Sequence, residues 1–191
     1  MPKTNTNKNR NDPRTSKSIR DIKRAMLELV AEEPYDQIQA EQIMKAAPVN
    51  KNTFYKYFSS KLDVLDAIRG DMLAEMQKQI VLNDVQSVRG GVSLFYTYYN
   101  DASPLHGKLL NTEEYSDFAE KLCEEYFASD FFRGFCARLE DFDMVSGFMA
   151  DVVYGTYTRW HCRSDDGKKP DQETLTDMTA RLLEDGLKGL E

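Results

Sequence analysis

The segment "NKNTFYKY", Asn50 to Tyr57, gathers two asparagines, two lysines, a threonine and two tyrosines. Such side chains read and grip a nucleic acid. Asparagine can bond both edge groups of adenine, lysine can meet guanine or phosphate, and a tyrosine hydroxyl can donate to phosphate. If the segment is a helix with Val49, Thr53, Phe54 and Phe58 inward, then Asn50, Lys51, Asn52, Tyr55 and Lys56 face outward. Asn50 suits the N-cap, and the free N–H groups and positive dipole end behind it attract phosphate. An ordinary amphipathic helix pair would offer a similar polar surface, so spacing alone leaves both readings open.

The elements that must position these residues follow from periodicity. Ala40, Ile43, Met44 and Ala47 share one face of a short helix over 40–47, and Pro48 stops it. A second short helix runs from about Asn50 to Tyr57, which completes a helix-turn-helix. Ser60 with Asp63 forms a capping box that starts a helix carrying Leu62, Leu65, Ile68, Met72 and Met76. Upstream, Ile19, Ile22, Met26, Leu29 and Val30 recur at helical steps from Ser18, and Pro34 closes that helix.

Downstream, helices are expected over 88–100, 105–111, 113–139 with a kink near Ser129 or Gly134, and 143–162 with Asp143 as N-cap. The helix over 143–162 should bury Val145, Phe148, Met149, Val152 and Thr156. A last helix starts at Pro170 and turns Leu175, Met178, Leu182, Gly186 and Leu190 inward. No alternating strand pattern occurs. The fold class is therefore all-α, about nine helices. It divides into an N-terminal arm (1–15) expected to be disordered, a helix-turn-helix domain (16–66) and a helical regulatory and dimerisation domain (67–191).

Charge is uneven. Residues 1–70 hold 13 Lys and Arg against 9 Asp and Glu; residues 71–191 hold 12 against 23. A basic front suits a polyanion, and a solvated basic tail would look the same. Cys123, Cys136 and Cys162 are too widely spaced for a disulfide framework or a zinc site, and Cys136 reads as a buried thiol. His161 and Cys162 have no second ligand or base at helical spacing, so no metal and no cofactor are implied. No apolar run reaches membrane-spanning length and the N-terminus lacks an apolar signal core, so the cytoplasm is the expected compartment.

The stretch "TFYKYFSSKLDVL", Thr53 to Leu65, resembles the signature of TetR-family transcriptional regulators. The likeness runs back through Ile19–Val30, Tyr35, Ile43, Ala46 and Ala47 and covers roughly residues 17–70. The C-terminal half is similar to the subgroup related to dihydroxyacetone-kinase regulators, through "FYTYYND", through "LLN" with "YSDF", and through Tyr154–Trp160 followed by Pro170, Leu182 and Gly186.

The resemblance implies a homodimer whose three N-terminal helices and the start of the fourth bind one half-site. The last two long helices, about 143–163 and 170–189, would form the interface. Gly147 and Gly155 could permit close approach there, and packing inside the subunit would explain them equally. By resemblance, the Tyr57 hydroxyl and the Lys61 backbone N–H contact phosphate. Lys51, Asn52, Thr53 and Tyr55 face bases or nearby phosphates, and Arg14 and Lys17 add contacts from the arm. Three positions depart from the family. Pro48 and Pro34 stand where glycine is usual. Proline cannot follow glycine to positive φ, so the turn at Pro48 is expected to use another geometry. Gln39 stands where Thr or Ser often caps the second helix and touches phosphate, and glutamine is a weak cap.

Sixteen of the 21 aromatic residues follow residue 70. Phe95, Tyr99, Tyr126, Phe127, Tyr154 and Tyr157 are candidates for a small-molecule pocket, together with Tyr96, Tyr98, Phe131, Phe132 and Phe135, with plain core packing the leading alternative. No paired carboxylates, nucleophile–base set or phosphate loop stands out, which argues against an enzyme. The sequence predicts a homodimeric repressor that binds double-stranded operator DNA under control of a small molecule or partner protein. The competing reading is a co-activator or protein-interaction module acting through its C-terminal domain.

Overall fold

The structure, a computed structural model, describes residues 13–163 and 169–190, with side chains from Thr15 to Gly189 within those spans. Among the described residues there is no strand. The chain divides into two compact units, Met1–Gly70 and Asp71–Glu191.

In the first unit, α1 spans Pro13–Glu32, α2 Ala40–Ala46 and α3 Lys51–Tyr57. The next helix, α4, spans Lys61–Leu82 and contributes to both units. Ile22, Met26 and Val30 of α1, Ile43 and Met44 of α2, Phe54 and Phe58, and Val64, Leu65 and Ile68 of α4 form the core. Two expectations change. Helix α1 starts at Pro13 rather than Ser18, because buried Thr15 accepts a hydrogen bond from the Tyr57 hydroxyl at 3.1 Å. That tertiary anchor holds a first turn lacking apolar periodicity. Leu62, expected on the inward face of α4, is exposed, and Val64 is buried instead.

In the second unit, α5 spans Val88–Asn100, α6 Pro104–Asn111, α7 Ser116–Phe127 and α8 Asp130–Phe135. The long helices α9 (Phe142–His161) and α10 (Gln172–Leu190) complete it. The single helix expected over 113–139 is two helices, preceded by a 3-10 turn at Glu113–Tyr115. Ser129 is extended (φ −70°, ψ 159°), which lets α8 turn back. Phe132 then stacks 4.4 Å from Phe127 and 5.2 Å from Tyr126. A side chain at Gly91 would meet the Phe132 ring at 2.6 Å, so only glycine allows this approach.

Asp141, not Asp143, caps α9 by accepting from the Met144 N–H at 3.1 Å. Helix α10 starts at Gln172 rather than at Pro170, and Asp171 accepts from the Thr174 N–H at 2.7 Å. The inward stripe of α10 is Leu175, Thr176, Thr179, Ala180 and Leu183. Met178 and Leu182, expected inside, are 58 % and 64 % exposed; Gly186 is exposed too. Phe148 on α9, also expected inside, is 59 % exposed beside Met144 at 73 %. The Leu190 side chain, like that of Arg14, lies outside what is described. Periodicity detected apolar residues on these helices correctly. It could not tell a face covered by the subunit's own core from a second apolar face left open.

Candidate nucleic-acid interface

Helix α3 is short, so its stability rests on its ends and its packing. Asn50 caps it: its Oδ1 accepts from the Thr53 N–H at 2.8 Å. Phe54 is fully buried and Phe58 nearly so, which fixes the rotation of the helix. That rotation exposes Lys51, Asn52, Tyr55 and Lys56 and leaves Thr53 and Tyr57 half-buried. The Lys51 ammonium lies 5.9 Å from the Tyr55 ring and the Lys56 ammonium 5.1 Å from the Tyr57 ring. Both charges therefore stay near the helix, and among the described residues neither has a carboxylate partner that would neutralise it. Lys17 is exposed on α1.

The turn before α3 answers the question posed by Pro48. Helix α2 ends as a Schellman motif, with the Val49 N–H donating to the Met44 carbonyl at 3.0 Å. Pro48 occupies the left-handed position at φ 22°. The turn thus keeps the positive-φ geometry that glycine would supply, and the expectation of a different geometry is overturned. The pyrrolidine ring prefers φ near −65°, so the backbone at Pro48 is strained. The second bond of the motif is impossible because proline has no N–H. The end of α4 shows the complete form. There Asp84 takes φ 48°, donates to Val81 at 3.2 Å, and Val85 donates to Ile80 at 3.0 Å.

The start of α2 is capped from its far side. The Gln39 N–H donates to Gln42 Oε1, and the Gln42 amide donates to Glu33 Oε1 at 2.7 Å. Gln39 itself is exposed. A glutamine three residues inside the helix does what the weak cap residue was not expected to do. At the start of α4, the Ser60 Oγ accepts from the Asp63 N–H at 3.2 Å. Asp63 accepts from the Ser59 N–H at 2.7 Å and the Ser60 hydroxyl at 2.9 Å, and these bonds hold its carboxyl below the usual range. Lys61 turns its ammonium inward, donating to the carbonyls of Tyr35 (2.7 Å) and Ile38 (2.9 Å) and lying 4.2 Å over the Tyr35 ring. Its backbone N–H, in the first turn of α4, is the group it can offer outward.

The pocket candidates of the second unit form a solid core. Phe95, Tyr99, Tyr126, Phe127 and Tyr157 are buried and Tyr154 is half-buried. Phe95 stacks on Tyr99 at 4.1 Å and meets Tyr126 and Phe127, each at 5.9 Å. The Tyr99 hydroxyl donates to the Ala119 carbonyl (2.7 Å), Tyr126 to Gly91 (3.0 Å) and Tyr157 to Asn111 Oδ1 (3.2 Å). Burial pushes the hydroxyl pKa of each upward. A cavity of about 720 Å3 lies elsewhere, along Glu75, Gln79 and Asn83 of α4, Arg89 to Tyr98 of α5, and Asp101 to His106. Its lining is scattered over three helices, and no motif in the sequence announced it. Cys123 and Cys136 are buried and Cys162 is exposed.

Residues 22–68 match the family model described as bacterial regulatory proteins, tetR family, which takes in all of α2 and α3. The chain is a TetR-like transcriptional regulator. Solved structures agree with its fold. A TetR transcriptional regulator from Streptococcus agalactiae 2603V superposes with a TM-score of 0.67 at 17 % identity, covering 89 % of this chain and 95 % of that one. The fatty acid degradation regulator FadR from Bacillus halodurans gives 0.57 at 20 %, covering 91 % and 96 %. The dihydroxyacetone kinase operon activator DhaS gives 0.50 at 19 %, covering 91 % and 98 %. At such identities the likeness carries the fold of the regulator and not its effector. No curated protein matches the chain at a significant level. No described helix is long and apolar enough to cross a membrane.

Proposed function

We propose that this regulator is a homodimeric repressor that binds a pseudo-palindromic operator in double-stranded DNA and releases it on binding a small molecule or partner. It acts in the cytoplasm and carries out no catalytic step. The observation that carries the reading is the outer face of α3, where Lys51, Asn52, Tyr55 and Lys56 are exposed on a helix held by Phe54 and capped by Asn50. Asn52 is suited to base reading. Lys51, Lys56, the Tyr57 hydroxyl and the Lys61 N–H are suited to phosphate. Lys17, Thr53 and Gln39 would add further contacts, and Asn50 contributes mainly by capping.

Dimerisation is supported by the exposed apolar residues of the last two long helices, Met144 and Phe148 on α9 and Met178 and Leu182 on α10. A Cβ at Gly147, Gly155 or Gly186 would touch nothing within 4 Å, so packing inside the subunit does not account for these glycines. Exposed apolar residues of this kind mark a surface that a partner subunit covers. The two reading helices would then meet half-sites about 34–36 Å apart.

The test is a salt series on the DNA upstream of the regulator's own gene, alongside sedimentation for subunit number. Four or more phosphates neutralised per dimer predict a slope of log K against log salt steeper than about −3.6. A flat slope would instead favour the co-activator that works through its C-terminal unit. A monomer at micromolar concentration would refute the dimer.

A further inference from the structure

The 720 Å3 cavity is electronegative in a way that selects its ligand. Glu75 and Asp101 both line it. Arg89, the cation in its wall, is already held by Asp177 at 2.6 Å and Glu173 at 3.7 Å. One oxygen of Glu75 accepts from the Gln79 amide at 2.7 Å; the other lies 3.4 Å from Lys78, which is exposed and outside the lining. These contacts hold the Glu75 carboxyl below its usual range, so it stays ionised at neutral pH. Helices α4 and α5 both end at the cavity, and neither has a basic residue in its last turn. The α5 end adds its negative dipole to the two carboxylates; the α4 end adds less, because its Gln79, Ile80 and Val81 carbonyls already accept bonds from Asn83, Val85 and Asp84. The start of α6 opposes this, but Ser103 Oγ already takes one of its N–H groups, that of His106. Burial lowers the His106 pKa, with Asp71 opposing, which limits the positive charge it brings.

Between these charges lies an apolar and aromatic surface from Val85, Leu94, Tyr98 and Ala102. Tyr99, Tyr126 and Tyr157 have hydroxyl partners, whereas the Tyr98 hydroxyl makes no hydrogen bond among the described residues. Burial, then Glu75, pushes its pKa up to about 12, so it remains a neutral donor beside an open ring face. The volume suits a drug-sized molecule, and the ring suits a cation over its face.

We propose that this cavity binds an organic cation, an apolar body bearing an amine or quaternary nitrogen held between Glu75, Asp101 and the Tyr98 ring, and that this cation is the effector. The proposal rests on the reading of the chain as an effector-controlled DNA regulator. Rhodamine 6G, a cation, and fluorescein, an anion on a related xanthene frame, are the probes, read by anisotropy on the full chain at physiological salt. Rhodamine 6G should bind at least about tenfold tighter, the equivalent of about 1.4 kcal/mol. Glu75→Gln and Asp101→Asn should each weaken it about tenfold, while Glu124→Gln, at an exposed position of α7 outside the lining, should not. Equal affinity for the two dyes, or equal losses in all three variants, overturns the site. Saturating rhodamine 6G should also weaken operator binding about tenfold, since coupling is reciprocal. Tight dye binding with operator affinity unchanged overturns the effector role. Failure of the dye-free protein to bind the operator strikes only the parent reading, because dye affinity is measured without DNA.

Discussion

In the N-terminal unit the polar ends of Lys51, Asn52, Tyr55 and Lys56 reach solvent, whereas in the C-terminal unit the hydroxyls of Tyr96, Tyr99, Tyr126 and Tyr157 reach protein acceptors. Both units are helical and both pack aromatic side chains, but they use polar groups oppositely. The first holds a small core under a surface that stays available. The second spends its polar atoms internally, because a buried hydroxyl without a partner costs about 1–3 kcal/mol. Stability and function should therefore respond to different residues in the two units.

The largest contrast is Phe95→Ala. Phe95 is the centre of the aromatic cluster, so its loss should cost about 3–5 kcal/mol, read by denaturation followed through Trp160 fluorescence. A loss below about 1 kcal/mol would mean the cluster is loosely packed and the pocket reading deserves revival.

Alkaline pH should separate the units next. Tyr96, Tyr99, Tyr126 and Tyr157 have hydroxyl pKa values raised by burial above 10. For a raised pKa the stability is fully present below the unfolded value near 10 and is lost as pH rises through the folded value. Each such group then removes up to about 1.4 kcal/mol per pH unit. In the first unit, burial raises the Tyr35 hydroxyl pKa as well. Amide exchange should thus show the C-terminal unit loosening more steeply above pH 10; parallel loosening of both would contradict this.

Two changes in the first unit are smaller. Pro48→Gly relieves the φ 22° conformation and restores the missing N–H of the Schellman motif. The flexibility gained by the unfolded chain offsets about 0.4–1 kcal/mol, so a net gain of about 1 kcal/mol is expected in thermal unfolding by circular dichroism. A loss would show that the ring is at ease in the turn. Asn50→Ala should lose about 1 kcal/mol with the cap.

The smallest stability effect and the sharpest functional one should coincide. Asn52→Ala should stay within about 0.5 kcal/mol of the parent in stability, yet relax preference at one base pair by about 1–3 kcal/mol. Lys56→Ala should weaken specific and random DNA alike. If Asn52→Ala lowered both equally, its place would be on the backbone.

The face of α3 could be read in advance because a helical period, two buried phenylalanines and a capping asparagine all lie within a few residues of one another. Local sequence also located most helices and the Ser60–Asp63 cap. It misjudged what distant residues decide. Thr15 extends α1 because Tyr57 reaches it from 42 positions away, and Gln42 rescues the start of α2 while leaning on Glu33. Phe148, Met178 and Leu182 are as apolar as their buried neighbours, and only the packing of α9 and α10 shows that they point away from the core. The cavity was invisible for the same reason, since Glu75, Tyr98 and Asp101 become neighbours only when α4 and α5 pack together. At Pro48 the residue type forbade a geometry that the fold nevertheless imposed. Residue identity set the local preference, and the tertiary contacts on either side of the turn, worth more than the strain, decided the outcome.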